Sequence, residues 1–268
     1  MPELPEVEIV RRELAPAMER ARFADVVLRR RNLRGPFPRR FRERLVGAGV
    51  IAVDRRAKYL VVPISSGETL LMHLGMSGSF RVGDPRPIPH DHVVFHMSSG
   101  AVVTFNDPRR FGLMDLVPAG KLATHPALNA MGPEPLSAAF DGGALARACK
   151  GKRTSLKAAL LDQRVVAGLG NIYASEALHV AGLSPHRQAR TIATPSGLPR
   201  PAAHRLAAAI KKVLEAAIAR ASNGAYRSSR FRVYDREGER CRRAGCSGTI
   251  GRRTQAGRST FYCTACQR

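Results

Sequence analysis

The chain has 268 residues, and its 44 Lys and Arg against 21 Asp and Glu give a formal net charge of +23. A hydrophobic content of 44% is typical of a globular protein and excludes a disordered basic tail. A folded chain with this surplus is expected to bind a polyanion, most often nucleic acid, although an arginine-rich proteome can produce the same charge. No run approaches 18 consecutive apolar residues, and the acidic start lacks the apolar stretch of a secretory signal. We therefore expect a cytoplasmic protein with no membrane partner and no disulfides.

The first predicted element is a helix over residues 2–18. Acidic residues and prolines suit its first turn, and Val7, Val10 and Leu14 follow a helical period. From about 22 to 118 the chain shows short apolar runs broken by Gly, Pro and Asp, with no helix expected between them. This spacing is typical of a β-sandwich or barrel.

After a Gly- and Pro-containing linker the apolar period becomes helical. Helices are expected from about 156, over 171–180 and over 202–221, the last with Leu206, Ile210 and Leu214 on an apolar face that we interpret as core. The predicted fold is α+β, with domains at 1–118, 137–234 and 235–268, and a linker at 119–136. Residues 20–58 and 220–268 are both strongly basic, as two surfaces gripping a polyphosphate would be.

Four of the five cysteines lie near the end of the sequence, as a Cys-x4-Cys pair and a Cys-x2-Cys pair: Cys241, Cys246, Cys263 and Cys266. Two close pairs separated by a hairpin-sized insert predict tetrahedral thiolate coordination of one Zn²⁺. Four protein ligands leave no open position, so the predicted zinc is structural. Cys149 stands alone and is expected to be an inert buried thiol.

The N-terminus offers a second kind of chemistry. Removal of Met1 would expose the secondary amine of Pro2, which titrates near neutrality and can attack an electrophilic carbon such as C1′ of a nucleoside. Glu3 could act as the partner acid, with Glu6 one helical turn further on. From this segment alone, a helix-starting proline followed by glutamates that complement the helix dipole is the preferred interpretation.

Motifs along nearly the whole chain change that preference. The sequence resembles bacterial formamidopyrimidine-DNA glycosylases in blocks that occur in the family's order, at residues 1–8, 55–60, 73–79, 90–92, 107–112, 131–136, 168–178 and the four cysteines. The resemblance implies a β-sandwich domain with an N-terminal helix, a helix–two-turns–helix domain and a C-terminal zinc finger.

The resemblance also implies roles for individual residues. The implied catalytic residues are Pro2 as the Schiff-base nucleophile, Glu3 as its partner acid, Lys58 and Arg258. Further DNA contacts are implied for His90, Arg109, Arg110 and Asn171. The space left by a flipped nucleotide would be filled by Met76, Arg109 and Phe111. Without the resemblance, Met76 and Phe111 would be interpreted as core residues, Arg109 as a turn cation, and Asn171 as a helix N-cap.

The chain departs from the family in the segment that closes over flipped 8-oxoguanine. Only residues 222–232 lie between the long predicted helix and Val233, roughly a dozen fewer than is typical. We therefore expect retained lyase activity and weakened 8-oxoguanine excision, with formamidopyrimidines and abasic sites less affected.

The function expected from the resemblance is a monomeric bifunctional glycosylase and abasic-site lyase of base excision repair, acting on double-stranded DNA at the bacterial nucleoid. It would excise oxidised purines and nick the strand by β,δ-elimination. Two alternatives stay open at this point: an endonuclease VIII-like glycosylase for oxidised pyrimidines, and a catalytically silent zinc-finger protein that binds damaged DNA.

Overall fold

A computed structural model describes residues 2–222 and 231–268 and divides the chain into two units, Met1–Asn129 and Ala130–Arg268. The predicted shortened segment at 222–232 lies almost entirely outside the described residues. Among the described residues no helix is long and apolar enough to cross a membrane.

The N-terminal unit contains a long helix, a short helix and eight strands. In chain order these are α1 (Leu4–Met18), β1 (Phe23–Leu28), α2 (Phe41–Leu45), β2 (Asp54–Arg56), β3 (Tyr59–Pro63), β4 (Thr69–His73), β5 (Ser79–Val82), β6 (Asp91–Met97), β7 (Val102–Asn106) and β8 (Leu113–Val117). The expectation of strands alone over 22–118 is wrong for α2, where Phe41 and Leu45 occupy one helical face and are buried.

The strands form two antiparallel four-stranded sheets, in the orders β1-β6-β7-β5 and β2-β3-β4-β8. Alternate residues of both sheets enter one apolar core, to which β6 contributes Val93 and Phe95 and β4 contributes Leu70 and Met72. Helix α1 adds its buried face to the same core. The predicted β-sandwich is confirmed, and it provides a rigid base for the start of α1.

The C-terminal unit is helical and ends in a hairpin. Its elements are α3 (Gly142–Cys149), α4 (Leu156–Leu161), α5 (Asn171–Ala181), α6 (Pro201–Ser222), β9 (Ile250–Gln255) and β10 (Arg258–Cys263). Short 3-10 turns lie at Leu122–Thr124 in the first unit and Ala189–Ile192 in the second. The predicted apolar face of α6 is buried at Leu206, Ile210 and Leu214, and α6 packs against α3 and α5.

The last part of the chain has a small apolar core of its own. It consists of Val233, Cys241, Ile250, Phe261 and Cys263. A cluster of this size cannot by itself offset the conformational entropy of ordering the surrounding chain. The segment is therefore expected to depend on stabilisation from outside this core, such as a metal centre.

Candidate active site and metal centre

Pro2 and Glu3 lie at the start of α1. Glu3 is the N-cap residue and is 2% exposed, and its backbone N–H donates to the Glu6 carboxylate at 2.7 Å. The Glu3 carboxylate in turn accepts from the Glu6 backbone N–H, which completes a capping box. This reciprocal bonding fixes the Glu3 carboxylate next to Pro2 in the chain, where the amine of a processed N-terminus would lie.

Further along the helix, the half-buried Glu8 carboxylate forms ion pairs with Arg11, Arg12 and Arg55 at 2.9, 2.9 and 3.2 Å. Burial raises the pKa of Glu8, but hydrogen bonds from the three arginines outweigh it and lower the pKa from 4.5 to about 2. Arg55 also donates to the carbonyl of Ala57 at 2.9 Å. The network therefore connects α1 to the turn that precedes Lys58.

Lys58 lies in the β2–β3 turn and is half-buried. The turn depends on Ala57, whose φ of 54° is left-handed, a conformation that costs a non-glycine residue about 1–2 kcal/mol. The bond from Arg55 to the Ala57 carbonyl helps to offset this cost.

His73, at the end of β4, is near Lys58 and was missed by the sequence reasoning as a candidate site residue. Its Nδ1 accepts from the Gly75 N–H at 3.0 Å, and its ring contacts Tyr59 with centroids 4.7 Å apart. Burial, with the nearby charges of Lys58 and Arg34, lowers the pKa of His73 from 6.5 to about 4. Near pH 7 the ring is neutral, and because Nδ1 accepts, the proton is on Nε2. His73 is the first residue of the family-like motif at 73–79, so the sequence did contain a signal for it.

The loops at 74–78 and 107–112 are fastened to each other. A Cβ on Gly75 would lie 2.3 Å from the Phe111 carbonyl carbon, so only glycine permits this approach. The buried Asp107 carboxylate accepts from the Ser77 hydroxyl at 2.6 Å and from the Gly112 N–H at 2.8 Å. A carboxylate with several donors is a stable bridge, so both loops have a defined shape.

These loops present Met76, Arg109 and Phe111 to solvent. Met76 is 41% and Phe111 43% exposed, which excludes the interpretation of both as core residues. The Arg109 guanidinium lies over the Phe111 ring at 4.9 Å from its centroid. His90 and Arg110 are exposed in the same unit, each at a positive φ. Met76 and Phe111 are thus exposed apolar side chains on two joined loops, with the Arg109 cation over the Phe111 ring.

In the C-terminal unit, Arg258 follows the tip of the β9–β10 hairpin. The tip residues Ala256 and Gly257 both have positive φ, 47° and 71°, as in the primed turns that match strand twist. Arg258 is exposed, and the adjacent backbone is fixed by Lys157, which is 1% exposed. The Lys157 Nζ donates to the Ser259 carbonyl and the Thr260 hydroxyl, both at 2.8 Å.

Asn171 contacts the same carbonyl. Its Nδ2 donates to the Ser259 oxygen at 3.0 Å, and the helix N-cap is Gly170, so the N-cap interpretation of Asn171 is wrong. Asn171 is instead the first helical residue, and its side chain joins α5 to the hairpin next to Arg258. Sequence reasoning did not identify Lys157, because its partners lie 102 and 103 residues away in the chain.

Glu176, in the middle of α5, is a third residue that sequence reasoning missed. Its carboxylate is buried and accepts the backbone N–H groups of residues 232, 233 and 234 at 2.8, 2.8 and 2.9 Å. These bonds fix the point at which the chain enters the finger, the segment of residues 233–268. The only sequence signal for Glu176 was its place inside the 168–178 block.

The four cysteines predicted to bind metal lie together. All are free, and their sulfurs lie within 4.8 Å of one another. Cys241 and Cys266 have sulfurs 3.8 Å apart, and Cys246 and Cys263 3.7 Å apart. A tetrahedron with metal–sulfur bonds of about 2.3 Å has sulfur–sulfur edges of about 3.8 Å, so the cluster fits one Zn²⁺. Bound there, the metal would fix the fold of the finger and supply no open coordination position.

Comparison with known proteins identifies the class of this arrangement. Residues 1–114 match the formamidopyrimidine-DNA glycosylase N-terminal domain, and residues 131–229 match the formamidopyrimidine-DNA glycosylase H2TH domain. A formamidopyrimidine-DNA glycosylase of Azorhizobium caulinodans is 54% identical over 293 aligned positions that cover 100% of both chains.

Solved structures give the same result. The Lactococcus lactis formamidopyrimidine-DNA glycosylase, non-covalently bound to DNA containing an abasic site, superimposes with a TM-score of 0.86 at 29% identity over 100% of both chains. A MutM structure with DNA containing carbocyclic 8-oxoguanine has a TM-score of 0.86 at 31% identity, again over 100% of both chains. The chain belongs to the formamidopyrimidine-DNA glycosylase family.

Proposed function

We propose that the protein is a bifunctional DNA glycosylase and abasic-site lyase that excises oxidised purines from double-stranded DNA. The observation that carries the proposal is the start of α1, where the capping box fixes a buried Glu3 directly beside Pro2. Support comes from family membership and from related structures that contain abasic-site DNA and carbocyclic 8-oxoguanine DNA. The protein acts as a monomer in base excision repair, in the bacterial cytoplasm at the nucleoid.

The chemistry begins once Met1 has been removed. The Pro2 nitrogen attacks C1′ of the damaged nucleotide, the C1′–base bond breaks, and the base leaves with a proton. Glu3 exchanges a proton with the sugar ring oxygen as the ring opens and the iminium forms. The positive iminium acidifies the C2′ hydrogens, so the 3′ phosphate is eliminated, followed by the 5′ phosphate.

The other site residues bind and orient the DNA. Lys58 and Arg258 neutralise the phosphates that leave, and His90, Arg110 and Asn171 contact further phosphates. The neutral His73 Nε2–H near Lys58 is proposed as a further donor to DNA, one that adds no charge. Met76 and Phe111 fill the base stack after the nucleotide is flipped, and Arg109 bonds the orphaned partner base.

Lesion choice is the finer part of the proposal. The segment predicted to be shortened includes residues 223–230, which lie outside the described residues. The alignment with the Azorhizobium relative runs over 293 positions against 268 residues here, so the relative has residues that this chain lacks. With less chain available to bond the edges of 8-oxoguanine, its excision falls more than that of formamidopyrimidines.

The test uses untagged protein and duplexes that each contain one lesion: a formamidopyrimidine, 8-oxoguanine opposite cytosine, an oxidised pyrimidine or an abasic site. Expected results are strand cleavage with phosphate at both ends and faster release of formamidopyrimidine than of 8-oxoguanine. Equal rates for the two purine lesions would contradict the proposed effect of the short segment. Preferential cleavage at the oxidised pyrimidine would support the endonuclease VIII-like alternative, and binding without cleavage would support the silent DNA-binding alternative.

A further inference from the structure

We propose that His179 is an outer-sphere partner of the metal centre, whose Nε2–H donates to the Cys241 thiolate and fixes the finger on α5. His179 lies in the last turn of α5, is 1% exposed, and places Nε2 3.2 Å from the Cys241 sulfur. The same nitrogen lies 3.8 Å from the Cys266 sulfur. One ring nitrogen therefore faces two of the four metal-binding sulfurs.

The chemistry of a thiolate determines which form of the ring fits. A metal-bound thiolate can only accept hydrogen bonds, so a bare ring nitrogen in this place would be repelled and an N–H is attracted. The proton must therefore be on Nε2. Nδ1, the other ring nitrogen, then carries a lone pair; it is buried and has no hydrogen-bond partner among the residues described. Burying this unpaired acceptor costs free energy, and the bond from Nε2–H to sulfur offsets that cost.

Arg243 makes a second connection between the same two elements, in the opposite direction. It lies between Cys241 and Cys246 in the chain, and its backbone N–H donates to the Cys241 sulfur at 3.4 Å. Its guanidinium donates to the carbonyls of His179 and Val180, which lie in the last turn of α5, where carbonyls lack the usual partner four residues further along the helix. The helix end bonds the cysteine loop through His179, and the cysteine loop bonds the helix end through Arg243.

The position of His179 gives this bond a wider effect. Its helix begins at Asn171, which bonds the hairpin beside Arg258, so α5 contacts the finger at both of its ends. Outer-shell donors orient metal ligands, and their loss typically lowers metal affinity by about 10–100-fold. Retention of the metal is therefore predicted to depend on a histidine that is not one of its ligands.

The first experiment measures zinc loss from the full-length zinc-loaded protein to a coloured chelator. His179→Phe removes the donor and keeps a ring, and it is expected to release zinc at least 10-fold faster than the wild type. His179→Gln retains an N–H donor and is expected to be intermediate. The matched control is His186→Phe, because His186 packs edge-on against Tyr262 of the hairpin, with ring centroids 4.8 Å apart, and bonds to no cysteine sulfur among the described residues. The control should release zinc as the wild type does, and equal rates for His, Gln and Phe at position 179 would overturn the proposal.

The second measurement needs no variant, so it remains decisive if His179→Phe does not fold. In wild-type protein with ¹⁵N-labelled histidine and zinc bound, the ring nitrogen shifts are expected to place the proton of His179 on Nε2. A proton on Nδ1 would overturn the proposal. Replacing Zn²⁺ by Co²⁺ adds a spectroscopic readout, because loss of the donor to sulfur is expected to shift the thiolate-to-cobalt charge-transfer band in His179→Phe but not in His186→Phe. Neither readout depends on DNA cleavage, so failure here leaves the proposed enzymatic function untouched.

Discussion

The start of α1 and the finger hold their proposed site residues in place by different means. Pro2 and Glu3 begin a helix whose buried face belongs to a core of 25 buried residues, and the Glu8 network connects that helix to the turn preceding Lys58. The finger that carries Arg258 has five buried residues in its own core, two of them cysteines, together with the metal-binding cluster and polar bonds from α4 and α5. The proposed reacting groups thus depend on the sandwich, whereas the proposed phosphate contact of Arg258 depends on a metal and a few buried polar bonds.

Removal of the metal should have the largest effect, and it should affect the finger but not the sandwich. With the metal chelated, or with Cys263→Ala, the finger is expected to unfold, since structural zinc supplies about 10–16 kcal/mol of apparent binding free energy in zinc-finger peptides. Hydrogen exchange read by mass spectrometry should show fast exchange in β9 and β10 and unchanged slow exchange in β4 and β6. Slow exchange of the hairpin without metal would contradict the account.

Glu8→Gln tests whether the ion-pair network stabilises the N-terminal unit. Because the pKa of Glu8 is about 2 in the fold against 4.5 unfolded, the charged network contributes about 2–3 kcal/mol of stability that is present above pH 4.5 and lost as pH falls toward 2. Denaturant titrations from pH 7 to pH 2 should show a weaker fall of stability for Glu8→Gln than for the wild type.

The matched control is Glu13→Gln, an exposed position on the same helix, which should follow the wild-type pH curve. Parallel curves for the wild type and Glu8→Gln would mean that the network adds no stability. If Glu8→Gln also lowers the β,δ-elimination rate near pH 7, the network contributes to the position of Lys58 as well as to stability.

Lys157→Met keeps the volume of the side chain and removes the hydrogen bonds to Ser259 and Thr260, the two residues that follow Arg258. We expect a loss of about 1–3 kcal/mol in stability and slower strand cleavage on abasic-site DNA. Lys211→Met is the control, since Lys211 also donates to a carbonyl, that of Ser137 at 2.9 Å, but not on the hairpin. If both variants cleave at the same rate, Lys157 does not position Arg258.

Phe111→Ala should have the smallest effect on the fold. An exposed side chain contributes within about 0.5 kcal/mol of stability, whereas a wedge that fills an unstacked step supports DNA deformation of a few kcal/mol. Thermal unfolding should be unchanged while excision of the lesion slows. The control is Ile88→Ala, at another exposed apolar position of the same unit, which should change neither stability nor excision. Equal excision rates for the two variants would show that Phe111 does not fill the base stack.

Local patterns predicted much of this molecule. The period of Leu206, Ile210 and Leu214 identified α6, and the spacing of four cysteines identified the metal cluster, because both signals are contained in neighbouring residues. Lys157 and His179 could not be found in this way, since a buried lysine or histidine looks like a surface residue until the partner 60 or more positions away is known. Arg55 and Lys58 were visible in a motif, but their connection through Ala57 required the structure.

The most direct test of the central claim is borohydride trapping on abasic-site DNA with untagged protein whose Met1 has been removed. Reduction of the iminium should give a covalent protein–DNA adduct at Pro2, located by peptide mapping. Pro2→Gly leaves a primary amine and should trap less, and a blocked N-terminus should trap nothing. An adduct of equal yield with a blocked N-terminus, or no adduct with correctly processed protein, would contradict the account.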